Sequence, residues 1–207
     1  NLSFMNLVEA LSKSADQQPH ITALKLPIRI RGELSYQNRS FADMQHAVDL
    51  LATYLFAQKL SKGKKVLILL PPGEDLLISV FALLRLGAIP VVIDPGMGFK
   101  NFIACIRKTQ PDFLLANPKA RFLLFLLKAW VRFKKIIFIT HKLKQNLQKQ
   151  NFVCHLQQEN NLEAIAAVLF TSGSTGAPKG AVYTYNDFNA QIEALQQLFK
   201  IQAGEVD

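Results

Sequence analysis

Short, continuous apolar runs alternate with longer amphipathic stretches through most of this sequence. Such runs are typical of strands buried on both faces of a sheet. The runs that predict strands are Lys65–Leu70, Val91–Ile93, Phe113–Ala116 and Ile136–Thr140. The stretches Asp75–Leu86 and Phe99–Thr109 predict helices, the first closed by Gly87 and the second ending before Pro111. This alternation predicts an α/β fold with a mainly parallel sheet layered with helices.

Caps and periodicity predict the remaining elements. Ser40 is a candidate N-cap for a helix whose apolar positions recur every three or four residues: Phe41, Met44, Val48, Leu51 and Leu55. The other predicted elements are a helix at Asn6–Ser14, strands at Ile21–Lys25 and Ile28–Leu34, and a helix at Phe122–Val131. The polar, Gln/Asn-rich segment Asn146–Asn161 predicts a surface connection.

The loop Thr171–Gly180 holds the most specific chemistry of the chain. It contains three glycines, four hydroxyl residues and one lysine, has no acidic residue, and follows the apolar run Ala164–Phe170. Glycines let backbone N–H groups converge on an anion, hydroxyls donate to phosphate oxygens, and a lysine supplies a mobile positive charge. The composition predicts a polyphosphate-binding loop.

The spacing rejects two other nucleotide-binding motifs. A Walker A loop needs Gly-Lys-Ser/Thr, but Lys179 is followed by Gly180, and the residues after it predict a strand at Ala181–Tyr185 rather than a helix. Gly96-Met97-Gly98 lacks the third glycine of a dinucleotide fingerprint, because that position is Asn101. We interpret Asp94-Pro95-Gly96 as a turn that ends a buried strand and starts a helix.

The segment Phe170–Gly180 resembles the phosphate-loop signature of the AMP-forming adenylating enzymes, which include acyl-CoA synthetases, peptide-synthetase adenylation domains and luciferases. Gly32–Gln37 and Phe81–Pro95 resemble two earlier segments of that family in the same order. The likeness therefore extends from about residue 30 to the end of the chain. Val91–Gly98 and the tail Val182–Asp207 resemble the branch that contains fatty-acyl ligases and olefin β-lactone synthetases.

This resemblance implies activation of a carboxylic acid, a fatty or 3-hydroxy fatty acid, by ATP with Mg²⁺. The acyl-AMP would then pass its acyl group to coenzyme A or another acceptor, or close to a β-lactone. The loop residues that would hold the β- and γ-phosphates are Thr171, Ser172, Gly173, Ser174, Thr175, Gly176 and Lys179.

Family members are considerably longer than this chain, and their adenine, metal and catalytic-lysine segments have no counterpart in it. We therefore expect residues 1–207 to be the N-terminal portion of the large adenylation domain, inactive alone and without catalytic or metal-binding residues of its own. A non-catalytic α/β module that binds a phosphate ligand or a partner protein is the alternative.

Composition narrows the class without adding chemistry. Half of the 207 residues are hydrophobic, which is typical of a folded globular chain. Neither a run of 18 apolar residues nor a secretory signal is visible. Two isolated cysteines, Cys105 and Cys154, suit a reducing cytoplasm, and four scattered histidines, His20, His46, His141 and His155, form no metal-ligand pair.

The formal charge of +9 is concentrated in one segment. Residues 113–158 contain nine Lys or Arg and no Asp or Glu, whereas the rest of the chain is neutral. Within it, residues 119–144 include the apolar-basic stretch Arg121–Phe133. This stretch is either a core helix whose cations reach the surface or a peripheral membrane contact. Nucleic acid is not expected as a partner, because these aromatics are mixed with leucines.

Overall fold

The computed structural model describes residues 6–30, 32–127, 130–149, 161–171 and 179–201. Its strands are β1 (Thr22–Ile30), β2 (Glu33–Ser40), β3 (Lys65–Leu69), β4 (Ile89–Ile93), β5 (Phe113–Ala116), β6 (Lys135–Phe138), β7 (Ile165–Phe170) and β8 (Gly180–Thr184). Its helices are α1 (Leu7–Gln17), α2 (Phe41–Ala57), α3 (Glu74–Arg85), α4 (Phe99–Thr109), α5 (Arg121–Leu127), α6 (His141–Gln148) and α7 (Tyr185–Phe199).

Six strands form the main sheet, in the order β6-β5-β3-β4-β7-β8. The first five are mutually parallel, and β8 lies antiparallel to β7 at one edge. The mainly parallel α/β sheet predicted from the sequence is therefore confirmed. Parallel strands need crossover connections, and the helices in those connections cover both faces.

Two apolar clusters lie on opposite faces of this sheet. On one face, α2, α3 and α6 pack over Val66 and Ile68 of β3. On the other face, α4 and α5 pack over Leu67 of β3 and Leu114 of β5. Because successive side chains of a strand point to opposite faces, both sets of β3 side chains are buried, which explains its uninterrupted apolar sequence.

A third cluster ties the end of the described chain to its beginning. Tyr185, at the start of α7, is buried with Val8 of α1, Leu84 of α3 and Ala166 of β7. The Tyr185 hydroxyl donates a hydrogen bond to the Leu84 carbonyl oxygen at 3.2 Å. This contact fixes α7 and the preceding strand β8 against α3.

The two-stranded sheet β1–β2 corrects the two short strands predicted at Ile21–Lys25 and Ile28–Leu34. The first strand runs unbroken from Thr22 through Pro27, which pairs with Tyr36 of β2. A proline interrupts a central strand because it has no N–H, but each strand of a two-stranded ribbon has a free edge where that loss is tolerated.

Two predicted boundaries also change. The helix predicted at Phe122–Val131 is described only as α5, which ends at Leu127, with Trp130 in a following turn. The connection predicted at Asn146–Asn161 begins inside helix α6, whose N-cap Thr140 accepts a hydrogen bond from the Leu143 N–H. Short polar helices give a weak periodic signal, so only the cap could have indicated α6.

Within the part of the chain described, no helix is long and apolar enough to span a bilayer.

Candidate active site

The carboxyl ends of the five parallel strands meet at one edge of the main sheet. At this edge, two neighbouring strands are followed by helices on opposite faces of the sheet: β3 leads to α3 on one face, and β4 leads to α4 on the other. The segments that leave these two neighbouring strands therefore diverge to opposite faces of the sheet. Ligands of open α/β sheets bind at such switch points.

The predicted phosphate loop starts at this edge and is held at its base by the sheet. Phe170, the last residue of β7, pairs with Gly180, the first residue of β8. On the other side, the Asp94 N–H donates to the Phe170 carbonyl oxygen at 3.0 Å. Residues 171–179 thus leave and rejoin the sheet at one place, next to the end of β4.

Gly180 is a glycine for a steric reason. A Cβ atom there would lie 2.6 Å from two ring carbons of Phe170, Cε1 and Cζ. The Phe170 ring is buried in the apolar cluster beneath α4, so it has little room to move. The side chain of Phe170, at one end of the loop, therefore packs directly against the backbone of Gly180, at the other end.

Strand β8 passes directly into a firmly capped helix. The Thr184 side chain accepts a hydrogen bond from the Asp187 N–H at 3.1 Å. The Asp187 carboxylate in turn accepts from the Thr184 backbone N–H at 2.7 Å. The bond from the Thr184 N–H, together with one that the Thr184 hydroxyl donates to the same carboxylate at 2.8 Å, holds the pKa of Asp187 below its ordinary value. The N-cap of α7 lies four residues after Gly180, so the outgoing side of the loop is fixed at two points.

The described residues include only the two ends of the predicted set. Thr171 and Lys179 are both exposed, one directly after β7 and the other directly before β8. Pairing of Phe170 with Gly180 brings these two positions to the same sheet edge. Ser172, Gly173, Ser174, Thr175 and Gly176 lie outside the described residues, so their role stays a prediction.

Two further polar residues follow strands at this edge. Asp94 accepts a hydrogen bond from the Gly96 N–H at 2.8 Å and begins a 3₁₀ turn before α4. The turn predicted at Asp94–Gly96 is therefore confirmed. Asn117, which the sequence reasoning missed, follows β5 and accepts from the Lys119 N–H at 2.8 Å. A short polar residue directly after a buried strand was the available signal, but both side chains stabilise turns here.

Other candidate chemistry does not gather at the site. In the described ranges, no three His, Cys, Asp or Glu side chains come together as metal ligands. Cys105 is buried on α4, and that burial raises the pKa of its thiol; Cys154 and His155 lie outside the described residues. A groove of about 390 Å³ lies away from the loop, between β2, α2, α3 and α6. Its charged rim residues pair with each other, Arg39 with Glu74 and Lys144 with Asp75.

The fold and the site define an open α/β protein with a glycine- and hydroxyl-rich loop at the carboxyl edge of its parallel strands. The chain belongs to the AMP-binding enzyme family, whose model matches residues 11–206. Recognition of the family from the loop and the two upstream segments is confirmed.

Individual relatives agree with this placement. An olefin β-lactone synthetase of Xanthomonas campestris is 28% identical over 212 residues, which cover 98% of this chain and 38% of the relative. Among solved structures, a long-chain-fatty-acid-CoA ligase from Archaeoglobus fulgidus superposes with a TM-score of 0.78 at 18% identity, covering 96% of this chain and 40% of the ligase. A fatty acyl-adenylate ligase from L. pneumophila, in complex with acyl adenylate and pyrophosphate, gives 0.71 at 19% identity, covering 95% and 33%. This chain thus spans about two fifths of the length of the Xanthomonas campestris relative.

Proposed function

We propose that this chain is the N-terminal portion of the large domain of an enzyme that activates a carboxylic acid with ATP. The product is an acyl-AMP, and the acid is a fatty or 3-hydroxy fatty acid. The observation that supports this most directly is the loop at residues 171–179, anchored at the carboxyl edge of the sheet in a chain of the AMP-binding enzyme family. Family membership supports the reaction class, and the position of the loop supports the part of it that we propose for this chain.

The chemical difficulty of the reaction is charge. A carboxylate must approach the α-phosphate of a nucleotide that already carries several negative charges. Fixed donors and cations around the β- and γ-phosphates lower this repulsion and stabilise the departing pyrophosphate. Thr171 and Lys179 are positioned for this task, because both are exposed at the ends of the loop. We assign the same task to Ser172, Gly173, Ser174, Thr175 and Gly176.

The anchoring of the loop matters for this task. Donors lower a barrier only when they are already in place as charge develops, since reorganisation then costs nothing. Pairing of Phe170 with Gly180 and the capping box at Thr184 hold the base of the loop rigidly. The nearest carboxylate that follows β4, Asp94, is engaged by the Gly96 N–H.

Magnesium would add positive charge to the same phosphates. The described residues contain no group of three candidate ligands, and we propose no magnesium ligand among them. We likewise propose no described residue as a contact for adenine, ribose or coenzyme A. The proposal therefore requires the intact protein for turnover.

Lys179→Ala in the intact protein tests the loop assignment. Removal of one preorganised donor to a developing charge costs about a hundredfold in rate. We expect ATP–pyrophosphate exchange with a fatty acid to fall by about that factor, while the free energy of unfolding is unchanged because Lys179 is exposed. Lys25→Ala, which removes an exposed lysine from the two-stranded sheet, is the matched control and should exchange normally.

Two outcomes of this assay would contradict the proposal at different levels. Exchange that is unaffected by Lys179→Ala would show that the lysine assignment is wrong. A lack of exchange in the unmodified intact protein, across a series of fatty and 3-hydroxy fatty acids, would instead favour the non-catalytic module.

A β-lactone-forming synthetase is the second candidate, favoured by the Xanthomonas campestris relative. Product analysis with a 3-hydroxy fatty acid, with and without coenzyme A, separates the two. A thioester that forms only with coenzyme A indicates a ligase, and a lactone that forms without it indicates the synthetase.

A further inference from the structure

One surface of the protein combines large exposed apolar side chains with neighbouring positive charges. It consists of Phe122, Phe125 and Leu126 on α5 and Trp130 in the turn after it, which together we call the α5 surface. Phe122 is 75% exposed, Phe125 is 73% exposed and Trp130 is 53% exposed. Single exposed apolar residues are common, but four within nine positions of the chain form a patch that needs an explanation.

Helix α5 is apolar on both its buried and its exposed side. Leu124 and Leu127 are buried in the cluster beneath α4 and α5. Phe122, Phe125 and Leu126 recur at helical spacing on the opposite side and remain exposed. The interpretation of this segment as a core helix therefore explains Leu124 and Leu127 but not the exposed Phe122 and Phe125.

Positive charges flank the α5 surface along the chain. Lys119 and Arg121 are exposed before it along the chain, and Arg132 and Lys134 are exposed after it. Between Pro95 and Gln158, the only acidic residue is Asp112. Its Oδ1 atom lies 2.7 Å from Lys134 Nζ and 4.0 Å from Lys64 Nζ, so its charge is already compensated.

Two arginines lie against aromatic rings around the patch. The Arg107 guanidinium of α4 lies 5.1 Å from the Trp130 ring centroid. The Arg121 guanidinium lies 5.2 Å from the Phe138 ring centroid. Cation–π contacts of this kind hold a cation next to an apolar body. An arginine stacked on an aromatic ring suits the boundary between the acyl chains and the anionic headgroups of a membrane.

These features discriminate between partner classes. A single-stranded nucleic acid would stack its bases on open ring faces. One face of the Trp130 ring is already covered by the Arg107 guanidinium. A purely apolar partner would leave the surrounding cations without a counter-charge. An anionic bilayer satisfies both requirements at once, because acyl chains receive the aromatics and headgroups receive the cations.

We propose that the α5 surface binds the interface of a membrane that contains anionic phospholipid. Phe122, Phe125, Leu126 and Trp130 enter the headgroup–acyl boundary, and the neighbouring Lys and Arg side chains contact the headgroups. This is a peripheral contact, separate from the phosphate loop, and it does not depend on the reaction proposed above.

Vesicle co-sedimentation of the intact protein tests this surface. We expect binding to vesicles of mixed phosphatidylglycerol and phosphatidylcholine at low salt, weaker binding at high salt, and little binding to phosphatidylcholine alone. The double variant Phe122→Ser/Phe125→Ser should weaken binding by more than tenfold, since it removes the two most exposed aromatics. Phe56→Ser is the matched control, because Phe56 is 49% exposed on α2, which packs on the other face of the sheet.

Charge and location are tested by two further measurements. Lys119→Glu/Arg132→Glu should weaken binding more than Lys13→Glu/Lys25→Glu, although both change the net charge equally; each cation near an anionic surface is worth about fivefold. The emission of Trp130, taken as the difference between the protein and its Trp130→Phe variant, should shift to shorter wavelength on anionic vesicles.

Three results would overturn the proposal. The first is no sedimentation with anionic vesicles at low salt, as expected if another part of the intact protein covers α5. The second is sedimentation that Phe122→Ser/Phe125→Ser does not weaken. The third is binding that is confined to an acidic carrier protein or to nucleic acid. All variants should retain ATP–pyrophosphate exchange in solution, which separates failure of this surface from failure of the enzyme.

Discussion

Replacing Gly180 by alanine should destabilise the protein, although alanine ordinarily suits a strand better than glycine. The added Cβ would lie 2.6 Å from two carbon atoms of the Phe170 ring. Carbon atoms in ordinary contact are about 3.5–4.0 Å apart, so roughly 1 Å of overlap must be relieved in a buried region. Overpacking of this kind costs about 1–3 kcal/mol.

A smaller effect of opposite sign has to be subtracted. Relative to glycine, alanine in a strand gains about 0.5–1 kcal/mol because it loses less conformational freedom on folding. Subtracting this gain from the overpacking cost leaves a net loss of about 0–2.5 kcal/mol in the free energy of unfolding, with a midpoint of about 1 kcal/mol. For a chain of this size, a loss of about 1 kcal/mol corresponds to a fall in Tm of about 2–4 °C.

The measurement is thermal and urea unfolding of the intact protein, followed by circular dichroism. Gly180→Ala is compared with Phe170→Leu and with the double variant, because the smaller leucine makes room for the new methyl group. A double-mutant cycle should show a coupling energy of about 1 kcal/mol or more. Val182→Ala, at an exposed position of the same strand, is the control and should change stability by less than about 0.5 kcal/mol.

The sign of the change in the free energy of unfolding decides between the two effects. A Gly180→Ala protein as stable as its parent, or more stable, would refute the steric argument, because only the propensity gain would then operate. If the argument holds, KM for ATP should also rise, since a displaced Phe170–Gly180 pair moves both ends of the loop.

Two other predictions concern the supports of the site. Tyr185→Phe removes the hydrogen bond to the Leu84 carbonyl oxygen and should cost about 0.5–1.5 kcal/mol in urea unfolding; a larger loss would mean that the ring packing had changed as well. Hydrogen bonds from Thr184 hold the pKa of Asp187 below its ordinary value. Its carboxylate therefore stabilises the fold above the ordinary aspartate pKa of about 4, and this contribution is lost as pH falls through the lower folded value. Asp187→Asn should flatten the decline of the urea midpoint below that pH, and an unaltered acid limb would count against the cap.

Local signals in the sequence were enough for most of the main sheet. Helix α4 occurs at Phe99–Thr109 as predicted, because Gly98 and Pro111 delimit it on either side. Prolines inside strands were less informative. Pro27 lies within β1, and Pro90 lies within β4, where pairing with β7 begins only at Val91. Tolerance of a proline depends on which neighbour its missing N–H would have faced, and that is set by tertiary pairing.

The residue types of the candidate site could be predicted from the sequence, but the contacts that hold its loop in place could not. The glycines, hydroxyls and lysine of the loop stand out in the sequence, and so do the segments that carry the family resemblance. The steric contact between Phe170 and Gly180 depends on the register of β7 against β8, which cannot be read from the sequence alone. The exposure of Phe122 and Phe125 could not be predicted for a related reason, because an apolar stretch does not by itself indicate which side faces the core.

The position of β8 has a practical consequence for handling this polypeptide. In the described part of the chain, β8 is the outermost strand of the sheet, with β7 on one side, and its Val182 side chain is exposed. A strand edge of this kind presents a row of unsatisfied amide and carbonyl groups that a second molecule can pair with. Residues 1–207 prepared in isolation should therefore tend to self-associate through β8 at high concentration, and a lysine at position 182 would oppose that association by charge repulsion.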